Sequence, residues 1–423
     1  MLKVLASTWA LLFGLMLLML GNGMQGTLLG IRGGIENFTT TEMSVVMSCY
    51  FVGFLFGSRL APEMIRRVGH VRVFAALGSM ISAVLILYAA APHWIAWSLM
   101  RVLIGFSFSG VYITAESWLN NASTNETRGQ TLSLYLIVQM IGIIAAQILL
   151  NMADPSGYIL FVIPSVLVSL AFTPILLAVQ PVPAFDNTRP MSFRQLYAAS
   201  PLGCVGMFLL GGIFSAQFGM ASVWGTQAGL NVRDLSIFVA AIYVGGLVLQ
   251  FPIGWLSDRM DRRLLILALA VAGGVVVTLP SLVDVPFAVL VTVAMLMGGI
   301  SNPLYSLLLA YVNDHLDQSD MAAASAGLIF INGVGAISGP ILTGWLMGAI
   351  GPSGFFLFMA IIFFALSGYA LWRMTQRRTT PEASGSYAAL SPTASVITVE
   401  AALELAEDDH SAPGHGHPPQ PGA

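Results

Sequence analysis

The sequence is poor in charge. Only 9% of its 423 residues are Asp, Glu, Lys or Arg, where a soluble globular domain carries about a quarter. Apolar residues still make up 57% of it. A chain that keeps its apolar content and loses its charge has no ordinary water-facing surface, which implies a membrane protein. Cysteine is scarce too: Cys49 and Cys204 each lie inside an apolar run. Two such thiols give neither a disulfide framework nor a metal-ligand spacing, and both are read as small buried side chains. No basic patch is interleaved with aromatics, so no nucleic-acid partner is expected. No Gly-x-x-x-x-Gly-Lys-Ser/Thr loop occurs, which argues against direct use of ATP. No His-Glu-x-x-His, paired acids or Ser/His constellation falls in the apolar runs, so neither an enzyme, a cofactor nor a metal centre is expected. His410, His415 and His417 are read as part of a solvated, low-complexity end.

What the sequence has is length without charge. Apolar windows fall at 5–29, 43–61, 73–91, 94–115, 129–150, 157–179, 203–224, 235–256, 264–283, 286–312, 321–349 and 353–375. Each is near or above the roughly 20 residues that cross a bilayer as helix. A lipid-exposed backbone must satisfy itself, so helices are expected. The first window is too long for the core of a signal peptide and no small-residue cleavage site closes it, so it reads as a retained span. The two tightest turns, 91–94 and 283–286, are marked by Pro92 and Pro286.

With the N-terminus in the cytoplasm, fourteen Lys and Arg fall on that side and only Arg32 and Arg233 on the other, while Arg101 falls inside a span. That asymmetry sets the expected topology, with both termini cytoplasmic in the cell (inner) membrane. The longest polar break, with prolines at 181, 183 and 190, divides the windows six and six. The expected organisation is a six-helix bundle over 1–180, a cytoplasmic linker over 181–200, a second bundle over 201–376 and a disordered cytoplasmic tail over 377–423. The tail is acidic: net charge is +3 up to Arg378 and −6 beyond it. Within it "VEAALELAEDD" could form a short helix. The halves match at an offset of 193: Tyr50 and Gly53 with Tyr243 and Gly246, Gly105 with Gly298, Tyr112 with Tyr305, Asn120 with Asn313, Gly142 with Gly335. Six intervening spans make the repeat parallel, which places a site between the halves near mid-membrane.

"GWLSDRMDRR" (254–263) packs five charges into ten positions between two apolar runs. It resembles the loop pattern Gly-x-Leu-Ala-Asp-Arg-x-Gly-Arg-Arg of the major facilitator superfamily. Gly254, Leu256, Asp258, Arg259, Arg262 and Arg263 match; Ser257 and Asp261 depart. The resemblance covers about residues 1–376 and implies the all-α major facilitator fold, twelve transmembrane helices in two parallel-repeat six-helix bundles. It also implies that the cluster latches the cytoplasmic side in one state and breaks on switching; the alternative is a plain topology anchor. Gly254 permits close helix approach, and Asp258 can reach helix N-terminal amides and an arginine. The first-half loop, "APEMIRRVGHVRVF", retains Arg67, Gly69 and His70 but has Pro62 and Arg66 where the pattern has Gly and Asp. Glu63 is its only nearby acid.

"MRVLIGFSFSG" carries Arg101 and Gly105, the Arg-x-x-x-Gly arrangement common in the superfamily. Arginine at the bilayer centre costs at least about 2.5–3.5 kcal/mol, so Arg101 either captures an anionic solute, tunes a proton site or ties helices structurally. "YITAESWLNNASTNETRG" places Glu116 at the end of the same helix, before Arg128 and Gly129. Glu116 is read as a latch partner of Arg66, Arg67 or Arg128, or as a proton carrier. The wording "AESWLN…N…RG" is close to the YcaD-like bacterial branch. The fifth helix lacks the Gly-x-x-x-Gly-Pro of drug–proton antiporters. Polar residues at mid-span are the candidate cavity groups: Asn22, Gln25, Arg101, Tyr112, Gln139, Gln217, Gln250, Asn302, Tyr305 and Asn332. The leading expectation is a secondary active or facilitative transporter of a small anionic or polar solute, working by alternating access as a monomer in the lipid bilayer, with protons left open as coupling ion. A proton-antiporting drug or metabolite exporter and a non-transporting sensor or scaffold are the alternatives.

Overall fold

The computed structural model describes residues 2–123, 127–177, 191–316, 318–376 and 387–402. All regular structure among them is helical. The first bundle comprises α1 (Leu2–Ile35), α2 (Thr40–Val68), α3 (His70–Ala90), α4 (Trp94–Ala122), α5 (Arg128–Leu149) and α6 (Ile159–Leu177). A short α7 (Phe193–Ala199) precedes the second. That bundle begins with α8 (Pro201–Ser215), a π-helical turn over Ala216–Met220 and α9 (Ala221–Gln227), which together form one span. It continues with α10 (Val232–Ser257), α11 (Arg262–Leu282), α12 (Phe287–Asn313), α13 (Gln318–Ile350) and α14 (Ser353–Gln376). Among the described residues eleven helices are long and apolar enough to cross a membrane. The remaining expected window, 157–179, corresponds to α6, apolar over Ile159–Pro174.

Local chemistry sets the boundaries. Thr39 and Glu42 form a reciprocal capping box that starts α2. Gly69 ends it at φ 86°, a conformation that disfavours any residue with a Cβ. Asn231 caps α10 by accepting the Asp234 amide at 2.9 Å, and Asp261 caps α11 by accepting the Arg263 amide at 2.8 Å. Cys204 is buried, Cys49 is half-buried, and both are free thiols.

Packing repeats between the halves. α2 packs on α4 as α10 packs on α12; α1 packs on α5 as α8 packs on α13; α3 packs on α6 as α11 packs on α14. The tightest crossings run on glycine. A Cβ at Gly105 would collide with the Tyr50 carbonyl, and one at Gly298 with the Ile242 carbonyl. The partner glycines are Gly53, against Val102, and Gly245, against Met295. The constant offset therefore needs correction: it relates Gly105 to Gly298, but Gly53 corresponds in packing to Gly245, because α10 sits one residue out of register and Gly246 faces Asn302 instead.

The loops rich in arginine, α2–α3 and α10–α11, define a basic end. At the opposite end the bundles touch directly. Gln227 hydrogen-bonds Thr40, Ser222 Oγ donates to the Gly26 carbonyl at 3.4 Å, and Asn151 Nδ2 donates to Ser236 Oγ at 3.3 Å. Gly30 lies against Ser222, Gly34 against Thr226 and Gly344 against Ser44, too close for a side chain. At the basic end α2 and α13 stay in contact, with the Arg59 guanidinium 4.0 Å from the Phe330 ring centre. Between α4 and α5 on one side and α10 and α12 on the other, the space is filled by residues 387–402.

That segment departs from the expectation of disorder over 377–423. Residues 396–402 are helical, and Leu390, Ala394, Val399, Ala401 and Ala402 are buried. Its apolar side chains gain in the groove the cover they lack in the isolated tail. Residues 377–386 and 403–423, with the three tail histidines, and the linker part 178–190 lie outside the described residues.

Candidate functional site

A cavity of about 160 Å³ lies between the bundles near mid-span, on the scale that holds one ring-sized molecule. From the first bundle it is lined by Asn22, Gln25, Tyr50, Arg101, Tyr112, Gln139 and Gln147; from the second by Gln217, Phe218, Tyr243, Asn302 and Asn332. Of the residues expected there, Gln250 and Tyr305 stand outside the lining. Gln250 is seven residues beyond Tyr243 on α10, about 10 Å nearer the basic end, where it donates to Ser306 Oγ at 3.2 Å. Tyr305 is buried with its ring 6.1 Å from Phe214.

Arg101 is 3% exposed. Nη1 donates to Gln25 Oε1 at 2.7 Å, Nη2 points at Met47 Sδ at 3.4 Å, and the guanidinium lies 4.8 Å from the Tyr50 ring centre. Among the described residues no carboxylate pairs with it, and its Nε has no hydrogen-bond partner. The polar chain continues: Gln25 Nε2 donates to Asn22 Oδ1 at 3.1 Å, and Asn22 Nδ2 to the Tyr112 hydroxyl at 2.8 Å. Two side chains of α1 thus join two residues of α4 that are eleven positions apart. Other amides keep one atom unpaired: Gln139 Nε2, Gln147 Oε1, Gln217 Nε2 and Asn302 Oδ1. Buried amides of this kind favour a ligand that completes them. Asn332 instead ties α13 to α8 through the Met207 carbonyl, 2.9 Å away.

The π-helical turn places Gln217 and Phe218 in the lining. Such turns widen a helix locally and often mark functional sites. Phe218 stacks on Tyr243 at 4.9 Å, and Phe54 lies 6.2 Å from Tyr112. Sequence reading sought polar residues and found Tyr112 but passed over Tyr50, Phe54, Phe218, Tyr243 and Gln147. Gln147 carries the same signal as Gln139, an amide inside the apolar run of α5.

At the basic end the motif arginines have acids or a ring beside them. Arg262 is buried and gives both Asp314 oxygens a hydrogen bond, at 2.5 and 2.6 Å, while Asp258 is 4.0 Å away. Arg259 covers the Trp255 ring at 4.1 Å, and Arg263 stands 3.6 Å from Asp261. In the first bundle Arg66 and Arg67 pair locally with Glu63, the latter at 2.8 Å. Arg128 opens α5. Glu116 is buried and accepts the Tyr135 hydroxyl at 2.5 Å and the Ser395 backbone amide at 2.9 Å.

The segment 387–402 completes the site. The Tyr387 amide donates to Asp258 Oδ1 at 2.9 Å, and its ring lies on Gly254, where a Cβ would come within 2.5 Å of it. Burial, with the Asp258 charge adding to it, pushes the Tyr387 phenol well above its ordinary pKa. The Leu390 amide donates to Ser306 Oγ at 2.9 Å. Ser391, Pro392 and Thr393 form the cavity's floor.

The sequence model of the Major Facilitator Superfamily matches residues 11–243 and again 202–406. The "Uncharacterized MFS-type transporter YcaD" of Escherichia coli is 27% identical over 383 residues, 88% of this chain and 96% of that protein. Among solved structures, a point mutant of nucleoside transporter NupG superposes with a TM-score of 0.75 at 15% identity, covering 86% of this chain and 99% of that one. A bacterial homolog of the human lysosomal transporter Spinster, inward-facing and unoccupied, superposes with a TM-score of 0.64 at 13% identity, covering 97% and 99%. At those identities the structures speak for the fold alone. With a family match over both halves, paired helix packing that repeats between them and a polar cavity at their junction, the chain belongs to the major facilitator superfamily and is a multi-pass membrane transporter of a small solute.

Proposed function

We propose that the transported solute is a small organic molecule with a planar ring and an anionic or hydrogen-bond-accepting group. The observation that carries this is Arg101: a buried guanidinium at the cavity with neutral partners only among the described residues and an unpaired Nε. Around it the unpaired amides supply hydrogen bonds in both senses, and Tyr50, Phe218 and Tyr243 supply ring faces. A nucleoside, the solute that NupG's name gives, has this chemistry, as does an aromatic carboxylate. The basic end faces the cytoplasm, because the arginine-rich loops gather there; the closed opposite end then makes this an inward-facing arrangement. The described cavity lining holds no carboxylate. A proton route through Glu116 would therefore run along the basic mouth, apart from the solute site. One chain contains the whole path, and a monomer suffices.

The test is thermal unfolding of the purified protein against nucleosides, nucleobases and aromatic acids, followed by counterflow in proteoliposomes. At 100 times Kd a ligand adds about 2.7 kcal/mol to stability, a readable rise in Tm. A ring-bearing hit that Arg101→Ala loses and Arg101→Lys partly keeps supports the assignment. A hit equally strong with Arg101→Ala, or hits confined to ringless solutes, would overturn it.

A further inference from the structure

We propose that residues 387–402 are a tethered plug: the chain's own tail docks in the mouth at the basic end, closes the route from the cavity, and must leave for transport to proceed. The docking is specific in form. Three acceptors meet three backbone amides of the segment: Asp258 takes Tyr387, Ser306 takes Leu390, and Glu116 takes Ser395. Gln250 steadies Ser306 from behind. Of these acceptors Glu116 and Ser306 are buried and Asp258 is half-exposed at the rim; side-chain acceptors lined up on main-chain N–H groups let a groove hold a peptide irrespective of its side chains. Side-chain burial adds to this, since Leu390 and Val399 lose nearly all contact with solvent.

The acceptors belong to both walls. Asp258 and Ser306 are in the second bundle and Glu116 is in the first. Alternating access needs these walls to move relative to each other, and a segment pinned to both opposes that movement. The tip of the segment also obstructs the path itself. Ser391 accepts the Thr393 amide at 3.3 Å, and the Ala394 amide closes a turn on the Ser391 carbonyl at 2.9 Å. That turn is the cavity floor. Electrostatics favours the placement: the tail carries −6, and the loops around the mouth are rich in arginine. Because the segment belongs to the same chain, its docking is an intramolecular event that needs no free partner. The plug also gives Gly254 and Glu116 a function that the local arginines do not: one makes room for the Tyr387 ring, and the other accepts a tail amide.

Docking is tested without any solute, in the full-length chain carrying Cys49→Ala and Cys204→Ala. Ser58→Cys, on the cavity wall, reports access to a maleimide in detergent. Replacing the buried tail side chains by Leu390→Asp together with Val399→Asp is expected to speed labelling by at least about tenfold, equivalent to 1.4 kcal/mol of docking. In an otherwise native tail, Ser306→Cys with Leu390→Cys is expected to form a disulfide on mild oxidation. Equal labelling rates with and without the tail changes, or failure of that disulfide to form, would overturn the plug. In proteoliposomes the Asp-substituted tail is expected to raise the initial rate of solute flux, and the oxidised pair to abolish flux until reductant is added. Unchanged flux in both cases would overturn its control of transport. Because the labelling arm uses only a maleimide, it succeeds or fails independently of the solute class proposed above.

Discussion

Arg101 and Glu116 show how one helix carries two charges within an apolar span. They stand fifteen residues apart, about 22 Å along α4, and each is held by neutral groups: Arg101 by an amide and a ring face, Glu116 by a hydroxyl and a backbone amide. Glycine does the opposite work at the same crossing, removing a side chain so that backbones meet. Gly105 and Gly298 admit no Cβ without moving a neighbouring carbonyl, whereas Gly368 faces open space. Gly105→Ala and Gly298→Ala are therefore each expected to destabilise by about 1–3 kcal/mol, the cost of overpacking. Gly368→Ala is expected to be neutral within about 0.5 kcal/mol. Melting curves of the three purified variants decide it: a Gly105→Ala protein as stable as Gly368→Ala would mean that α2 and α4 do not cross this closely.

At the scale of helices, the second-bundle motif works as a tie between α11 and α12. Arg262 is the residue most deeply committed, and its bidentate partner Asp314 ends α12. Removing one member of a buried pair leaves an uncompensated charge, so Asp314→Ala is expected to cost on the order of 3 kcal/mol. Asp258→Ala is expected to shift Tm far less, since Asp258 is half-exposed and 4.0 Å from Arg262. A reversed order in melting experiments would restore Asp258 as the main acid of the cluster. This is also where sequence reading reached its limit. Spans and turns were legible because hydropathy, Pro92 and Pro286 act locally. The polar cavity was legible in outline, because Arg101, Gln25 and Gln139 are conspicuous in apolar helices. Asp314 was not, because it lies 52 residues from Arg262 and nothing in the ten-residue pattern points to it. Gln250 and Tyr305 looked like cavity groups on depth alone, and helix phase and distance along the axis took them elsewhere. The tail looked disordered because its composition shows no apolar face of its own; the groove supplies the other half of that core.

For the whole molecule, the decisive feature is unequal closure of the two ends. Opposite the basic loops, α1 meets α9 and α2 meets α13 through small residues and direct hydrogen bonds, with no intervening segment among the described residues. At the basic end the walls between α4/α5 and α10/α12 are joined through residues 387–402 instead. A transporter that alternates must part the first set of contacts in the other half of its cycle. Thr40 and Gln227 are hydrogen-bonded across that seam, one from each bundle, with Gln227 exposed and Thr40 half-buried. Thr40→Cys with Gln227→Cys, with the two native cysteines replaced by alanine, is therefore expected to cross-link under mild oxidation and to stop net flux completely, with recovery on reduction. Either single substitution should transport normally under the same oxidant. The same pair fixes sidedness, because a membrane-impermeant thiol reagent applied outside intact cells should block the cross-link, while a cysteine at Asp258 should stay unlabelled. Full flux through the cross-linked protein would mean that this seam never opens, and the two bundles would then not exchange access by moving about the cavity between them.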